Sequence, residues 1–234
     1  MTWTQLAVTA LWGGLVALER RAFLQAMLSR PLVAATVEGL LLGDVASGLY
    51  VGMVFELFFL GGASLGGAHP DHDTLPAVAG AAMAAGMGLA SGVESTPAMW
   101  ALSILICAPF GRAGLWLEHR LDRRARKYFG RAVTATDSGN LDKAARQNLR
   151  AMWPQFVFYG LLCAAAAAAG PSLHALAKGF PPSLLRGLTW AYPAMGVAAG
   201  AIAVAGSHAP KRHALALAGA ALTLVAALVT GGLS

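Results

Sequence analysis

Long apolar runs separated by short polar segments dominate this chain. They fall at residues 2–18, 48–66, 74–93, 97–117, 151–169, 184–206 and 212–232. A helix rises about 1.5 Å per residue, so about 20 residues cross a hydrocarbon core of about 30 Å. The runs show no alternation of apolar and polar positions, which argues against an outer-membrane barrel and predicts helical crossings. Between the first two runs lies PLVAATVEGLLLG, residues 31–43, which starts at Pro31 and ends at Gly43-Asp44. It is too short to cross comfortably and carries Glu38, so it reads as a re-entrant or broken helix. The expected fold is all-α: a single integral-membrane domain over residues 1–234, with about seven crossings plus this short segment.

Composition supports the membrane reading. Of the 234 residues, 57% are hydrophobic and 12% charged, against about 25% charged in a soluble domain. So few charges could not cover the surface of a soluble globule of this size. The first run has its positive charges after it, at Arg20 and Arg21, and reads as a retained helix rather than a cleaved signal. Cys107 and Cys163 lie inside apolar runs and read as small core residues, with no disulfide or metal pattern. The alanine run 164–169 permits close helix approach.

Charge changes the picture more by its distribution than by its total. Residues 112–150 hold ten of the 17 basic residues and four acids, a net of +6 that equals the whole chain's. One basic loop between apolar runs is the signature of positive-inside topology rather than of nucleic-acid binding. With 118–150 cytoplasmic, 151–169 leaves, 184–206 returns, and Lys211-Arg212 lands back inside. Lys178 and Arg186 then lie outside, against the rule. The side on which Arg20, Arg21 and Arg30 lie is left open by the pattern. The loop itself reads as amphipathic helix, interrupted by Asp137-Ser138-Gly139-Asn140, with a new helix near Asn140 or Leu141. It serves either as an orienting hairpin at the lipid headgroups or as a docking surface for a cytoplasmic partner. In the second case Arg120, Arg123, Arg124, Arg126 and Lys127 are the docking residues.

Acids in apolar segments are the sharpest chemical signal, because a carboxylate at bilayer depth must be paired, protonated or facing water. Glu38, Asp44, Glu56, Asp71 and Asp73 all fall within residues 38–73. Glu56, in LYVGMVFELFFLGG, has no basic residue three or four positions away. It lines a polar substrate cavity or is held neutral in a helix interface. After it comes GGASLGGAHPDHDTLP, residues 61–76, where glycines allow close approach and Ser64, His69, Asp71, His72 and Asp73 offer hydrogen-bonding groups. Such groups suit sugar hydroxyls at a cavity mouth. The histidine and aspartate spacing matches no established zinc motif, so no metal is expected. There is no GxSxG, Walker loop or HExxH, so no catalytic residue and no cofactor is expected.

An ordered string of residues carries a resemblance. It runs through Arg30-Pro31-Leu32-Val33-Ala34, Gly39, Leu42-Gly43-Asp44, Gly48, Gly52, Glu56-Leu57, Leu60-Gly61, Leu65-Gly66 and Pro70-Asp71. In order and spacing it resembles the membrane IIC subunit of mannose/sorbose-type sugar phosphotransferase systems. The family's Asn-Ile-Gly stands here as Ser64-Leu65-Gly66. The resemblance implies a multi-pass permease subunit of the bacterial inner membrane that pairs, in an oligomer, with a IID membrane subunit. Cytoplasmic IIA and IIB components would carry phosphate on histidines, and the sugar, hexose-like, would be phosphorylated as it enters. IIC itself would not be phosphorylated and would contribute to phosphotransferase activity only within the complex. Carried onto this chain, Glu56 and the Pro70-Asp71 turn would fall in the segment that contributes to the sugar site, and the hydrogen-bonding groups of Ser64, His69 and Asp73 are expected to bind substrate beside them. Arg30, Pro31, Gly43, Asp44, Gly48, Gly52, Gly66 and Pro70 would form the structural motif. The rival readings are an ion-coupled secondary transporter using the same acids, and a regulatory or scaffold subunit that does not transport.

Overall fold

The structure, a computed structural model, describes residues 1–60 and 71–206. Among them are eight α-helices: α1 (Trp3–Glu19), α2 (Pro31–Leu42), α3 (Val45–Leu60), α4 (Thr74–Ser91), α5 (Pro97–Cys107), α6 (Phe110–Asp137), α7 (Leu141–Ala177) and α8 (Pro182–Gly206). The class is that of a polytopic helical membrane protein. Four stretches of helix are long and apolar enough to cross a membrane: 74–91, 97–137, 141–177 and 182–206. Residues 31–42 and 45–60 form shorter apolar helices.

Local chemistry explains most of the helix ends. Thr2 and Gln5 cap α1 reciprocally, the Thr2 hydroxyl accepting from the Gln5 N–H. Pro31 opens α2 at a position where its missing N–H costs nothing, and Gly43 closes it with φ +80°. Asp44 then caps α3, accepting from the Ser47 N–H at 3.0 Å and the Ser47 hydroxyl at 2.8 Å. α3 therefore starts at Val45, earlier than the apolar run at 48, and residues 61–66 of that run lie outside the described residues. The run 97–117 is broken between α5 and α6, because Pro109 has no N–H to continue the ladder. Asn140 caps α7, its side chain accepting from the Lys143 N–H at 2.9 Å. α7 then continues unbroken through Pro154 and Pro171, so the second arm of the basic loop and the following crossing are one helix. The run 212–232 lies outside the described residues.

α4 is the centre of the bundle. With 12 of its 18 residues Ala, Gly or Met, it has 83% of its residues buried, against 11% for the most apolar stretch of α8. Small residues let its neighbours approach closely. A Cβ on Gly86 would lie 2.8 Å from the Ala167 carbonyl, and one on Gly170 would lie 2.7 Å from that of Met83. α1 meets α7 along a similar seam, where Gly13 faces Cys163 and Gly14 faces Phe156.

α2 and α3 form a hairpin packed against α4. Near its open end the Thr74 hydroxyl donates to the Ser29 carbonyl at 2.7 Å. At its tip Asp44 lies against Gly88. Residues 74 to 88 of a helix span about 21 Å. The hairpin thus penetrates most of the depth of α4 and returns to the end where it began. Within it the backbones nearly touch: a Cβ on Gly48 would clash with the Ala35 carbonyl, and one on Gly52 would lie 2.9 Å from the Ala35 side chain.

Arg20 and Arg21, just after α1, bond to Glu118 and Asp122 of α6. The N-terminal basic residues therefore lie at the same end as the basic loop, which resolves the parity that the hydropathy pattern leaves open.

Candidate functional site

The hairpin brings Arg30 and Glu56 together. Both lie thirteen positions from Gly43, one on each side of the turn, so antiparallel pairing sets them opposite each other. An Arg30 guanidinium nitrogen donates to Glu56 Oε1. The Leu32 N–H, one of the free donors in the first turn of α2, donates to Glu56 Oε2 at 3.2 Å. A carboxylate at a helix N-terminus is also favoured by the helix dipole. The Glu56 side chain retains 17% exposure and that of Arg30 45%. No base lies one turn away along α3; the compensating charge comes from across the hairpin.

Beside this pair is a denser cluster. Arg20 donates from Nε to Asp73 Oδ1 at 2.9 Å, from one terminal guanidinium nitrogen to Glu118 Oε1 at 2.6 Å and from the other to the Asp71 carbonyl at 3.2 Å. Arg21 donates from two nitrogens to the Asp122 carboxylate at 3.2 and 3.1 Å. Glu19 accepts from the N–H groups of Leu28 and Ser29 at 3.3 and 2.8 Å. It thereby fixes a connection in which Leu24, Gln25 and Met27 adopt positive φ. His72 is buried in the same place, its ring 4.5 Å from that of Tyr159. Burial, and then the charges of Arg20 and Arg21, hold its imidazole well below the usual value. A neutral ring fits the bond seen, in which Nδ1 accepts from the Leu75 N–H at 3.1 Å. Arg20, Glu19 and Glu118 were not singled out by the sequence. The signal available for Glu118 was its place directly after Leu115-Trp116-Leu117, ahead of the densest run of arginines.

Asp71 also lies at this end, where Arg112 donates to its Oδ1 at 2.9 Å. That pair is open, with side-chain exposures of 38% for Asp71 and 80% for Arg112. Asp73 is engaged by Arg20 and by the Thr74 N–H. Ser64, Gly66, His69 and Pro70 lie outside the described residues. Glu56 and Asp71 therefore stand just before and just after the 61–70 segment.

The remaining candidates are elsewhere. Asp44, with Ser47, Ser95 and Trp100, forms a hydrogen-bonded chain at the opposite end: the Ser47 and Ser95 hydroxyls share a hydrogen bond at 2.6 Å, and Trp100 Nε1 donates to the Ser95 hydroxyl at 2.9 Å. Glu38 is fully buried between α2 and α1, where it accepts from the Thr9 hydroxyl at 2.6 Å. Arg120, Arg123, Arg124, Arg126 and Lys127 are exposed along α6, with Arg120 stacked 4.0 Å over the Trp116 ring. Among the described residues no three His, Cys, Asp or Glu side chains are grouped to hold a metal ion.

Comparison with known proteins decides the family. Residues 3–205 match the pattern of the sorbose-specific IIC component of the phosphotransferase system. The chain belongs to this family. Two solved structures share the fold of this IIC component. One, described as a membrane protein, aligns with a TM-score of 0.72 and 20% identity over 100% of this chain and 94% of the other. The second is the mannose transporter ManYZ in complex with microcin E492, with a TM-score of 0.61 and 21% identity over 100% and 93%. No curated protein matches the chain. As a IIC component, it presents two acid–arginine pairs, Glu56–Arg30 and Asp71–Arg112, that remain open at one end of a tightly packed bundle.

Proposed function

We infer that this chain is the sugar-translocating subunit of a phosphoenolpyruvate-dependent phosphotransferase system, moving a hexose-like sugar inward across the bacterial inner membrane. The observation that carries the reading is the pair of partly exposed carboxylates, Glu56 and Asp71, flanking residues 61–70, each held by an arginine that is itself still open. Carboxylates accept from hydroxyls and guanidinium groups donate to them, so the set suits a polyol. Ser64 and His69 would add hydrogen-bonding groups between the two acids, and Asp73, held by Arg20, would fix the edge of the site. The basic end, including 118–150, would be cytoplasmic, and a IID subunit would complete the transport unit. Arg120, Arg123, Arg124, Arg126 and Lys127 would meet phosphorylated IIB. No nucleophile is needed from this chain. The sugar hydroxyl oxygen attacks phosphorus, the bond from phosphorus to the IIB histidine breaks, and the hydroxyl proton passes to Glu56 or Asp71.

The test is phosphoenolpyruvate-dependent phosphorylation of a labelled sugar panel by membranes containing this chain and a IID partner, with the soluble components added back. Sugar phosphate should form with the native chain and be lost in Glu56→Gln, while the complex still assembles. Full activity in that variant removes Glu56 from the site. No product with any sugar, despite assembly and phosphorylated IIB, turns the reading to a subunit that does not transport. Uptake indifferent to phosphoenolpyruvate and abolished by an uncoupler turns it to ion coupling.

A further inference from the structure

At the end of the bundle away from the basic arm, a cleft lies between α4, α5, the end of α7 and α8. We propose that this cleft is a binding site for one anionic phospholipid, its acyl chain against the apolar wall and its phosphate on Lys178. The cavity measures about 360 Å³, within the range of about 300–1,000 Å³ typical of small-molecule sites. Its wall is made by Met87, Met99, Leu102, Leu185 and Leu188, while His174 of α7, Lys178 just past its end and Thr96 supply polar groups beside it. Thr189, also on the wall, turns its hydroxyl back to the Leu185 carbonyl at 3.0 Å. A sugar would need several converging donors and acceptors, and this wall offers mainly hydrocarbon. An amphiphile with a negative head matches both halves of the lining.

Two further observations support the choice. Lys178 sits on the side where basic residues are depleted in membrane proteins, so its presence there asks for a reason. The ion pairs of the described residues draw on Arg20, Arg21, Arg30 and Arg112, and none of them takes up Lys178. A lipid phosphate supplies the missing negative charge at the depth where the end of a crossing helix meets the headgroups. The cleft is also bordered by α8, little of whose most apolar stretch is buried by the described residues.

The experiment compares retention of spin-labelled phosphatidylglycerol and phosphatidylcholine by the full chain, purified alone and with its partner subunit. Phosphatidylglycerol should be retained about fivefold better, the contribution expected of one lysine near a lipid phosphate. Lys178→Gln should bring the two lipids to parity, and Leu188→Trp, which fills the cavity, should lower retention of both. Replacing Arg120, Arg123, Arg124, Arg126 and Lys127 by Gln should leave the Lys178-dependent part intact. Equal retention by the native chain, or no effect of Lys178→Gln, overturns the proposal. So does competition by glycerol phosphate as effective as that by the lipid, which would make this a site for free anions. Lys178 is exposed at a helix end, so Lys178→Gln carries the test even where Leu188→Trp fails to fold.

Discussion

Two acid–arginine contacts at the same end of the bundle differ in how they meet water. Glu118 is 1% exposed and Arg20 14%, and Arg20 also holds Asp73 and the Asp71 carbonyl. Glu56 is 17% exposed and Arg30 45%, and the only further partner described for the pair is the Leu32 N–H. The first is closed on every side and ties α1 to α6 and to the start of α4. The second closes one hairpin and leaves room for a third party. A buried ion pair broken on one side leaves an uncompensated charge, whereas a partly open one can exchange partners at low cost. The same chemistry therefore serves as a structural tie in one place and as a candidate binding group in the other.

The largest effect should follow from breaking the closed cluster. Arg20→Leu leaves Glu118 buried without its main partner and should cost about 3–5 kcal/mol of stability. Thermal unfolding of the purified chain in detergent would read this as a steep loss of midpoint or of folded yield. An unfolding midpoint within a few degrees of the native one would show that the cluster is not the tie described here. The open pair should behave differently. Glu56→Gln keeps an acceptor for the Leu32 N–H and should lower stability by about 1 kcal/mol or less. Sugar phosphorylation in the same variant should fall by about 100-fold or more, the scale of a lost acid–base group. Arg30→Gln added to Glu56→Gln removes the leftover charge and should restore stability without restoring activity. Recovery of both together would make the pair structural only.

Which of these contacts could be read in the sequence depends on their range along the chain. The break at Asp137–Asn140 and the ends of α2 at Pro31 and Gly43 are legible because one or two residues determine them. The close packing of α4 and α7 is legible in their alanines and glycines. The Arg30–Glu56 pair was within reach, since a hairpin turning at Gly43 sets residues equally distant from it face to face. A search one helical turn away along α3 could not find it. The Arg20–Glu118 contact joins residues 98 positions apart, on helices whose relative placement depends on everything packed between them. Hydropathy also cannot show that α7 runs on through Pro154, because a proline in an apolar stretch looks the same whether it bends a helix or ends it. Of the candidate site, the acids were legible as anomalies and Arg30 by its place about Gly43, whereas Arg112, 41 positions from Asp71, was not.

A third acid sharpens the contrast between closed and open. Glu38 is wholly buried, like Glu118, yet its one described partner is the Thr9 hydroxyl rather than an arginine. Thr9 asks only for an acceptor oxygen, and Gln keeps one in the same place. Glu38→Gln should therefore fold with near-native stability, whereas Glu38→Leu strands the hydroxyl and should cost about 1–3 kcal/mol. A collapse of Glu38→Gln comparable to that of Arg20→Leu would place Glu38 in an undescribed charge network and remove this distinction.

The smallest change in stability should come from the most exposed pair. Arg112 is 80% exposed, and an ion pair of this kind contributes about 0–1 kcal/mol because water and salt screen it. Arg112→Ala should leave the unfolding midpoint nearly unchanged. Asp71→Asn should be as mild in stability but should weaken sugar phosphorylation, since an amide can accept only through one oxygen where the carboxylate has two. The two variants therefore separate the partner from the acid: if Asp71 serves only to hold Arg112, they should look alike in activity as well as in stability. If Asp71 meets the sugar, activity should fall in Asp71→Asn well beyond its fall in Arg112→Ala, with KM for the sugar raised more than kcat is lowered.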